Sequence, residues 1–346
     1  MTTTTTARAI VIDAPGEHRL VRGVRAEPGP GEARISVHAA GICASDREVY
    51  EGTREPEYVR YPVTPGHEWS GTVDAVGEGV DPGLVGRKTV AEGFRSCQSC
   101  ERCREGLTML CREGYDEIGF TRPGAFADSL LVPARLLHPL PDHADLRAAA
   151  LLEPAAVVAD AVLAAEPRPG ERVAVLGAGT LGLLAVQLLA ASSPAELLVV
   201  DPRLRRAERA LTLGATRARA PEDGDSDHFD LVLETAGAPG TAQDACRMAR
   251  RGGRVVLTGL SGPAARGIDP VRLVTARLTV RAVFGAPPAA WSHAVRALAT
   301  GLLDPAPLIT HELPLTRFDE AIALAASADP DVGKVLLTTG PDPGAV

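Results

Sequence analysis

Four side chains of types that commonly bind metal ions occur at separate points of the first 153 residues: Cys43, His67, Glu68 and Glu153. Thiolates, imidazoles and carboxylates are frequent zinc ligands, and a mixed protein shell that leaves one coordination position open is typical of a catalytic ion. Alone, a cysteine is usually part of the core and a histidine usually has a backbone partner. Taken together, the four residues predict a metal site that can perform chemistry.

A second group of metal-ligand residues contains four cysteines within fifteen positions: Cys97, Cys100, Cys103 and Cys111. Four thiolates at such short spacing can enclose one Zn²⁺ and leave no position for water, so the group predicts a structural zinc site. A redox or regulatory thiol cluster is the alternative, because C-x-x-C also suits disulfide exchange. Glutamates and arginines in the group nearly cancel in charge, which disfavours a zinc finger that binds nucleic acid.

A glycine motif of the form G-x-G-x-x-G lies between two apolar segments, and its members are Gly177, Ala178, Gly179, Thr180, Leu181 and Gly182. The first glycine permits a tight turn, the second lets a pyrophosphate approach the backbone, and the third allows the following helix to pack closely. The N-terminus of that helix would face the negative phosphates. The motif therefore predicts a dinucleotide-binding site.

Asp201 lies nineteen residues beyond the last glycine of this motif, where the next strand is expected to end. A carboxylate there accepts hydrogen bonds from ribose hydroxyls and repels a 2′-phosphate, which favours NAD over NADP. The alternative is that Asp201 only opens a turn before Pro202. Nearby arginines would soften the repulsion of a 2′-phosphate, and they are Arg203, Arg205 and Arg206.

The elements that must position these residues change in character along the chain. From about residue 7 to residue 145, short β-type runs separated by glycine and proline predict a β-rich first domain. After Gly170, strands alternate with helices, which predicts a doubly wound parallel sheet and an α/β chain of two domains. Strands are expected at residues 172–176, 197–200, 230–233, 254–258 and 278–283, and helices at 180–191, 204–213, 290–300 and 317–326. A last strand from Lys334 to Leu337 is expected to rejoin the first domain.

Charge and composition narrow the class of protein. The 346 residues carry a net charge of −8, whereas a surface that binds nucleic acid needs a basic face. The longest apolar stretches fall short of the roughly 18 residues of a membrane span. The threonine-rich start, Met1 to Arg8, lacks the apolar region of a secretory signal, so we expect a solvated terminus and a cytoplasmic protein.

The pattern Gly66-His67-Glu68-x2-Gly71-x5-Gly77-x2-Val80 resembles the signature of the zinc-containing alcohol dehydrogenases of the medium-chain type. The four-cysteine group and the glycine motif lie at that family's usual places, so the resemblance spans nearly the whole chain. It implies a GroES-like catalytic domain at residues 1–149 and 286–346, with a structural zinc lobe at about 94–115. It further implies a Rossmann domain at 150–285, an active site in the cleft between the domains, and a homodimer or homotetramer built by pairing Rossmann sheet edges.

The same resemblance implies roles for the residues of the first metal site. Cys43 and His67 would bind the catalytic zinc, while Glu68 and Glu153 would complete its shell or hold its water. Asp46 would orient His67. In the liver-type enzymes a second cysteine stands at the position of Glu153, and the acidic residue makes this chain similar to the sorbitol and threonine dehydrogenase branch.

A proton relay and two cofactor contacts are implied as well. Ser45 would carry the proton of the substrate hydroxyl, and Glu48 stands where the branch usually has a histidine at the end of the relay. Glu48 either accepts the proton, with a changed pH optimum, or is solvated while the relay ends in water. Arg206 would contact the adenosine ribose, although an exposed helix arginine is the usual explanation for such a residue. Lys334 would contact the pyrophosphate, and an edge-strand charge explains it equally well.

The substrate is limited to a class. Residues 61–71 and 119–121 are similar to dehydrogenases of aminocyclitol pathways, which oxidise 2-deoxy-scyllo-inosamine. We expect hydride transfer between NAD and the secondary alcohol of a polyol, cyclitol or amino-alcohol. A simple secondary-alcohol dehydrogenase or ketone reductase, and a non-catalytic zinc-stabilised NAD-binding protein, are the alternatives. A zinc-free quinone or enoyl reductase should lack Cys43, His67 and Glu153.

Overall fold

The structure, a computed structural model, describes residues 6–221, 226–262 and 264–339. The chain divides into two compact units: the first runs to Glu153 and resumes at Pro305, and the second comprises Pro154–Asp304. This division differs from the predicted boundary, which assigned residues 286–304 to the first domain. In the second unit the side chain of Gln187 hydrogen-bonds both the N–H and the carbonyl of Asp304, at 2.7 and 3.0 Å.

The first unit begins with seven strands and three short helices. The strands are β1 (Thr6–Ala14), β2 (Glu17–Val24), β3 (Glu32–Gly41), β4 (Glu68–Val76), β5 (Lys88–Ala91), β6 (Ser129–Pro133) and β7 (Leu137–Pro139). The helices are α1 (Ala44–Glu51), α2 (Glu101–Arg104) and α3 (Leu146–Ala149). Helix α4 (Leu152–Ala165) then carries the chain from the first unit into the second.

Strands and helices alternate through the second unit before the chain returns to the first. The second unit contains β8 (Arg172–Leu176), α5 (Thr180–Ala190), β9 (Glu196–Val200), α6 (Leu204–Arg209), β10 (Arg217–Arg219), β11 (Phe229–Glu234), α7 (Thr241–Met248), β12 (Ala249–Leu257), α8 (Pro270–Thr275), β13 (Thr279–Ala282) and α9 (Pro288–Ala299). The returning segment forms β14 (Ile309–Pro314), α10 (Phe318–Ala325) and β15 (Lys334–Thr338).

Strand β3 is the centre of the sheet in the first unit. The strand order is β14-β15-β3-β4-β5-β7, with β6 also paired to β3, while β1 and β2 form a separate antiparallel pair. Along β3 the apolar residues Ala33, Ile35 and Val37 are buried and alternate with more exposed polar residues, as expected for a strand with one face on a core. The pairing of β15 with β3 confirms that the last strand rejoins the first domain.

The second unit is a six-stranded parallel sheet in the order β10-β9-β8-β11-β12-β13. Its central strands are continuous apolar runs, because helices cover both faces of such a sheet; Val173 and Val175 of β8 are fully buried. The order reverses between β8 and β11, which is the switch point where doubly wound sheets bind ligands. The predicted α/β architecture is confirmed.

One predicted helix differs in detail, and one short strand was not predicted. The helix expected at residues 204–213 is α6 followed by a 3₁₀ turn at Ala210–Leu213. Strand β10 was not predicted, because two of its three residues are arginines and it has no apolar run.

The last residues of the predicted solvated terminus, Thr6 to Arg8, belong to a strand. Residues 1–5 of the predicted terminus lie outside the described residues, but Thr6–Ala14 form β1. Arg8 donates to Asp128 from its backbone N–H at 2.6 Å and from its guanidinium at 2.8 Å, which holds the start of the strand in place. Among the described residues, no helix is long and apolar enough to cross a membrane.

Candidate active site

The residues Cys43, His67 and Glu68 come together because β3 and β4 pair in a register that places Gly41 opposite Glu68. Cys43 lies between β3 and α1, and His67 directly precedes β4. Their ligand atoms, a sulfur, an imidazole nitrogen and a carboxylate oxygen, lie within 4.8 Å of one another. Gly41 leaves the necessary space, since a Cβ there would lie 2.4 Å from a carboxylate oxygen of Glu68.

His67 is buried and has a different neighbour at each ring nitrogen. Nε2 lies 3.5 Å from the Ser45 hydroxyl oxygen, and Nδ1 lies 3.3 Å from Oδ1 of Asp46. The Nδ1 contact has the distance of an ion pair but not the alignment of a hydrogen bond, so Nδ1 lacks a hydrogen-bond partner among the described residues. Burial lowers the pKa of His67, yet the Asp46 carboxylate outweighs burial and the pKa lies well above its usual value.

Asp46 is fully buried on α1 and joins the two segments that carry the metal-ligand residues. Its Oδ2 accepts a hydrogen bond from the N–H of Cys43 at 2.8 Å, and its Oδ1 accepts one from the N–H of Gly66 at 3.1 Å. A carboxylate held in this way fixes the orientation of the imidazole beside it. Asp46 therefore lies where an orienting partner of His67 is expected.

Glu68 forms a buried ion pair with Lys334 of β15. The Lys334 ammonium nitrogen lies 2.6 Å from Oε2 of Glu68 and 3.1 Å from the carbonyl oxygen of Ile42, to which it also donates. Burial lowers the pKa of Lys334, but the Glu68 carboxylate prevails and the pKa is raised. Lys334 thus contacts the metal-ligand residues of its own unit, and its contact with a pyrophosphate stays a prediction.

Glu153 lies outside the group formed by Cys43, His67 and Glu68, although the charges of His67 and Glu68 act on it. It stands in the first turn of α4. Burial and the negative charge of Glu68 raise the pKa of Glu153 to about 8, against the opposing charges of His67 and Lys334. These mutual effects place Glu153 at the border of the same site.

The four cysteines of the second group surround one point. Their sulfur atoms lie within 4.8 Å of one another, with Cys97 and Cys103 at 3.9 Å and Cys100 and Cys103 at 3.5 Å. A tetrahedral zinc ion with bonds of about 2.3 Å requires sulfur separations of about 3.8 Å. Hydrogen bonds from Ser99 and from the N–H of Cys100 lower the pKa of Cys97 to about 6, which favours the thiolate that binds zinc. This group fits a zinc ion.

The glycine motif forms the turn between β8 and α5. Gly177 has a φ of 103°, which favours glycine, and a Cβ at Gly182 would lie 1.9 Å from the carbonyl oxygen of Gly177. A Cβ at Gly179 would meet nothing within 4 Å. Helix α5 begins at Thr180 directly after this open space, with Leu181 in its first turn, so the backbone leaves room for a phosphate at a helix N-terminus.

Asp201 follows β9 and is almost fully buried. Its Oδ2 accepts a hydrogen bond from the N–H of Ala178 at 3.0 Å, and its Oδ1 accepts one from the N–H of Arg203 at 2.8 Å. Burial raises the pKa of Asp201, but these hydrogen bonds outweigh burial and lower it. A negative charge therefore stands directly beside the glycine turn. Arg206 lies five residues after Asp201, in helix α6.

Two protein families match this chain. The alcohol dehydrogenase GroES-like domain matches residues 29–142, and the zinc-binding dehydrogenase domain matches residues 180–300. A 2-dehydro-3-deoxy-L-galactonate 5-dehydrogenase of Pseudoalteromonas atlantica is 34% identical over 314 residues, which cover 88% of this chain and 91% of that protein. The chain belongs to the zinc-binding alcohol dehydrogenases.

Two further comparisons agree with this family. An L-threonine 3-dehydrogenase of an Anaeromyxobacter species is 31% identical and covers 91% of this chain and 93% of that protein. The solved structure of a zinc-binding dehydrogenase of Sinorhizobium meliloti, bound to NADP, has a TM-score of 0.89 at 28% identity and covers 96% of this chain and 99% of that chain. The prediction of an NAD(P)-dependent alcohol dehydrogenase that acts on CH–OH groups is confirmed.

The first metal-ligand group of this zinc-binding alcohol dehydrogenase also fits a zinc ion. It offers a thiol, an imidazole and a carboxylate, and the remote nitrogen of the imidazole faces Asp46. A carboxylate behind a ligating histidine is the usual arrangement at protein zinc sites. The set provides three ligands, which leaves a position for a further oxygen.

Glu48, the predicted end of the proton relay, interacts with an arginine. Its side chain is 43% exposed, and its Oε2 lies 3.4 Å from a guanidinium nitrogen of Arg54. Ser45 and Glu48 lie three positions apart on α1, but no hydrogen bond joins them among those described. An exposed Glu48 is compatible with both predicted roles, the proton acceptor and the solvated charge.

One acidic residue beside the site was missed. Glu117 is buried, and its charge acts on His67 and Asp46. It lies in a loop without a recognisable motif, and its only signal in the sequence is a carboxylate directly before the apolar pair Ile118 and Phe120. Such a residue becomes noticeable only when the loop is seen against the metal-ligand residues.

Proposed function

We propose that the protein oxidises the secondary alcohol of a polyol, cyclitol or amino-alcohol with NAD, using a zinc ion bound by Cys43 and His67 together with Glu68 or Glu153. One observation carries this proposal: a thiol, an imidazole and a carboxylate converge within 4.8 Å, apart from the four-cysteine group. Such a mixed shell can admit a substrate oxygen. The relatives named for threonine and for a deoxygalactonate support this substrate class.

The residues around this zinc site have separate tasks. A bound zinc ion supplies a Lewis acid that lowers the pKa of an alcohol hydroxyl. Asp46 holds His67 in one orientation, and Lys334 balances the charge of Glu68. The hydroxyl of Ser45, 3.5 Å from Nε2 of His67, would take up the proton of the substrate and pass it to water or to Glu48.

We also propose a second, structural zinc ion held by Cys97, Cys100, Cys103 and Cys111. Four thiols and no other donor type make up this group, so a bound ion would have no position for a substrate. Two zinc ions per chain are therefore expected, one in each group.

The proposed preference for NAD over NADP rests on Asp201. Its carboxylate is kept ionised by two backbone N–H groups beside the glycine turn, and it would repel a 2′-phosphate while accepting hydrogen bonds from ribose hydroxyls. Arg206 on α6 would contact the same ribose. The guanidinium of Arg203, 3.1 Å from Oδ1 of Asp201, is already paired with this carboxylate.

We further propose a homodimer or homotetramer that forms through the second unit. Strand β13 is an outer strand of the parallel sheet, and an unpaired strand edge can extend onto a second copy. Beside it in sequence, Val271 and Val274 of α8 are 65% and 75% exposed. Exposed apolar side chains on the helix that precedes an outer strand support a protein–protein contact through this part of the unit.

The first test is turnover. NAD reduction at 340 nm would be measured against polyols, cyclitols, amino-alcohols and simple secondary alcohols, with His67→Ala as the inactive variant and His143→Ala, an exposed histidine, as its matched control. Activity on the first three groups that disappears only in His67→Ala supports the proposal. Activity confined to simple alcohols, or no activity in protein that carries both zinc ions, contradicts the substrate class.

A further inference from the structure

The loop that follows the four-cysteine group packs directly on the segment that carries His67. The N–H of Ala125 donates to the carbonyl of Gly66 at 2.7 Å, and the N–H of Phe126 donates to the carbonyl of Pro65 at 2.9 Å. Gly119 of this loop comes so close that a Cβ there would lie 3.1 Å from the backbone nitrogen of His67. Side chains of this loop therefore form part of the surroundings of the metal-ligand residues.

Glu117 of this loop is a buried carboxylate without a cationic partner. Its side chain is 94% buried, and Oε2 accepts a hydrogen bond from the hydroxyl of Tyr115. Within the described part of the chain, Glu117 forms no ion pair and its one side-chain hydrogen bond is the one at Oε2. Oε1 is not among the atoms that are both fully buried and unpartnered, so a ligand can reach it. A buried carboxylate is normally paired or coordinated, because burial disfavours its charged form. Burial accordingly raises the pKa of Glu117.

The neighbours of Glu117 hold it in a defined position. The Tyr115 hydroxyl accepts a hydrogen bond from Arg54 at 2.9 Å while it donates to Glu117. The Arg54 guanidinium lies 3.9 Å from the centre of the Phe120 ring, and that ring lies 4.7 Å from the ring of His67. Arg54, Phe120 and His67 thus form a stack, and Glu117 is attached to it through Tyr115.

Acidic side chains outnumber basic ones around Glu117. The charge of Glu117 acts on Asp46, His67 and Glu153. None of the three cationic side chains nearby forms an ion pair with Glu117 among the described residues: Lys334 pairs with Glu68, Arg54 with Glu48 and His67 with Asp46. The charges of His67 and Arg54 still lower the pKa of Glu117, against the larger effect of burial. A ligand that brings a positive charge and only hydrogen-bond donors would satisfy the free oxygen of Glu117, and a protonated amine has both properties.

We propose that Glu117 recognises a protonated amino group on the carbon next to the carbinol, so that the enzyme prefers vicinal amino-alcohols to the corresponding diols. This inference rests on the proposed function, because it needs the alcohol to bind at the site of Cys43 and His67. Oε1 of Glu117 accepts the hydrogen bond from the ammonium, and Tyr115 holds the carboxylate from the other side. Glu117 is a specificity-determining residue and takes no part in the proton or hydride transfer.

Matched substrates test this inference. The probes are 2-aminocyclohexanol and 1,2-cyclohexanediol, together with 3-amino-2-butanol and 2,3-butanediol, each oxidised by the zinc-loaded enzyme with NAD. Glu117→Gln keeps the size of the side chain and removes its charge, and Glu113→Gln removes an exposed carboxylate of the same loop as the control. We expect the wild type to prefer the amino-alcohols, and Glu117→Gln to lose about tenfold or more of that preference in kcat/KM, mostly through KM.

The outcomes separate the inference from the proposed function. A preference that is absent in the wild type, or unchanged in Glu117→Gln, overturns the role of Glu117 while the dehydrogenase activity stands. If none of the four probes is oxidised, calorimetry measures the Kd of the amino-alcohols and of the diols for the zinc- and NAD-loaded protein. A Kd for the amino-alcohols that is no lower than that for the diols overturns the inference. Absence of turnover with every alcohol of the wider panel contradicts the proposed function itself.

Discussion

At the scale of single residues, buried charges dominate this molecule's first unit. Lys334 and Glu68 are 5% and 1% exposed and lie 2.6 Å apart. A buried ion pair contributes little net stability compared with apolar residues, but removal of one partner leaves the other charge without compensation. Replacement of one member is therefore more harmful than replacement of both.

Lys334→Met tests this pair. We expect the free energy of unfolding to fall by about 3–5 kcal/mol, because the Glu68 carboxylate is left buried and unpaired. The double variant Lys334→Met/Glu68→Gln should recover a large part of the loss. Urea denaturation of the zinc-loaded proteins measures both values, and a single variant as stable as the wild type would show that Glu68 finds another partner.

Asp201→Asn tests the proposed cofactor preference, also at the scale of one residue. The KM for NAD should rise about tenfold, because a charged hydrogen bond to the ribose is lost, while the KM for NADP should rise less or fall. Initial rates with both cofactors measure the ratio, with the exposed Asp142→Asn as control. An unchanged ratio would assign cofactor choice to other residues, foremost the neighbouring arginines.

At the scale of elements, close contacts at two glycines decide where the sites form. The β3–β4 register brings the Glu68 side chain against Gly41, and the entry of α5 brings Gly182 against the backbone carbonyl of Gly177. A Cβ at Gly41 would collide with the Glu68 carboxylate, and a Cβ at Gly182 would collide with backbone. The positions of the functional residues thus depend on how closely two elements can approach each other.

Gly182→Ala should weaken cofactor binding through such a collision. The added Cβ would lie 1.9 Å from a carbonyl oxygen, so α5 has to shift away from the turn that would hold the pyrophosphate. We expect the Kd for NADH to rise about tenfold or more and the Tm to fall, since overpacking commonly costs about 1–3 kcal/mol. Fluorescence titration measures the Kd. Gly23→Ala, where a Cβ meets nothing within 4 Å, should change neither value.

The segment that carries the four-cysteine group has little regular secondary structure. Between Cys97 and Cys111 only the four residues of α2 and a single 3₁₀ turn are helical. Thiolate–zinc bonds, rather than a core of apolar side chains, would supply the stability of this segment.

Cys103→Ser should remove one zinc ion and loosen this segment. We expect the metal content to fall by about one zinc per chain, because three thiolates no longer enclose the ion, with a lower Tm. Elemental analysis measures the zinc. Cys246→Ser replaces a buried core thiol outside the group and should keep the full metal content even if it destabilises the protein. Equal zinc loss in both variants would contradict the assignment.

At the scale of the whole molecule, the chain builds the first unit from two separated segments. Strand β15, which follows the entire second unit, pairs with β3 and supplies Lys334 to the metal-ligand residues. The second unit is formed by one continuous segment, and helix α8, which precedes its outer strand β13, carries exposed apolar residues. The proposed oligomer uses that face.

Val274→Glu should disrupt the oligomer. A charge on this side chain, 75% exposed in the single chain, would be buried without a partner in the proposed contact. Light scattering coupled to size-exclusion chromatography should show a shift toward monomer for Val274→Glu. Val24→Glu, at a valine of the first unit with 69% exposure, should leave the mass unchanged. A wild type that is itself monomeric would refute the proposal.

Local sequence patterns were sufficient for the architecture and for the chemical types in the site. The alternation of apolar strands and helices after Gly170 predicted the parallel sheet, because hydrogen bonding and burial of each element depend on its own periodicity. The donor types of Cys43, His67 and Glu68, together with the spacing of the four cysteines, were enough to predict two metal sites. Short strands such as β10 were missed, because three residues are too few to show a hydrophobic period.

Which charges face each other depends on how distant parts of the chain pack. Lys334 and Glu68 are 266 positions apart in sequence, and Glu117 belongs to a loop without a motif. Their proximity depends on the pairing of β15 with β3 and on the packing of the 117–126 loop against the segment that ends at His67. Burial then raises the free-energy cost of an unpaired charge at these residues, because a charge that is solvated in water needs a partner in the protein interior. Residue types and spacing therefore predicted the ligand types of a zinc enzyme, whereas the partner of each buried charge followed from the folded chain.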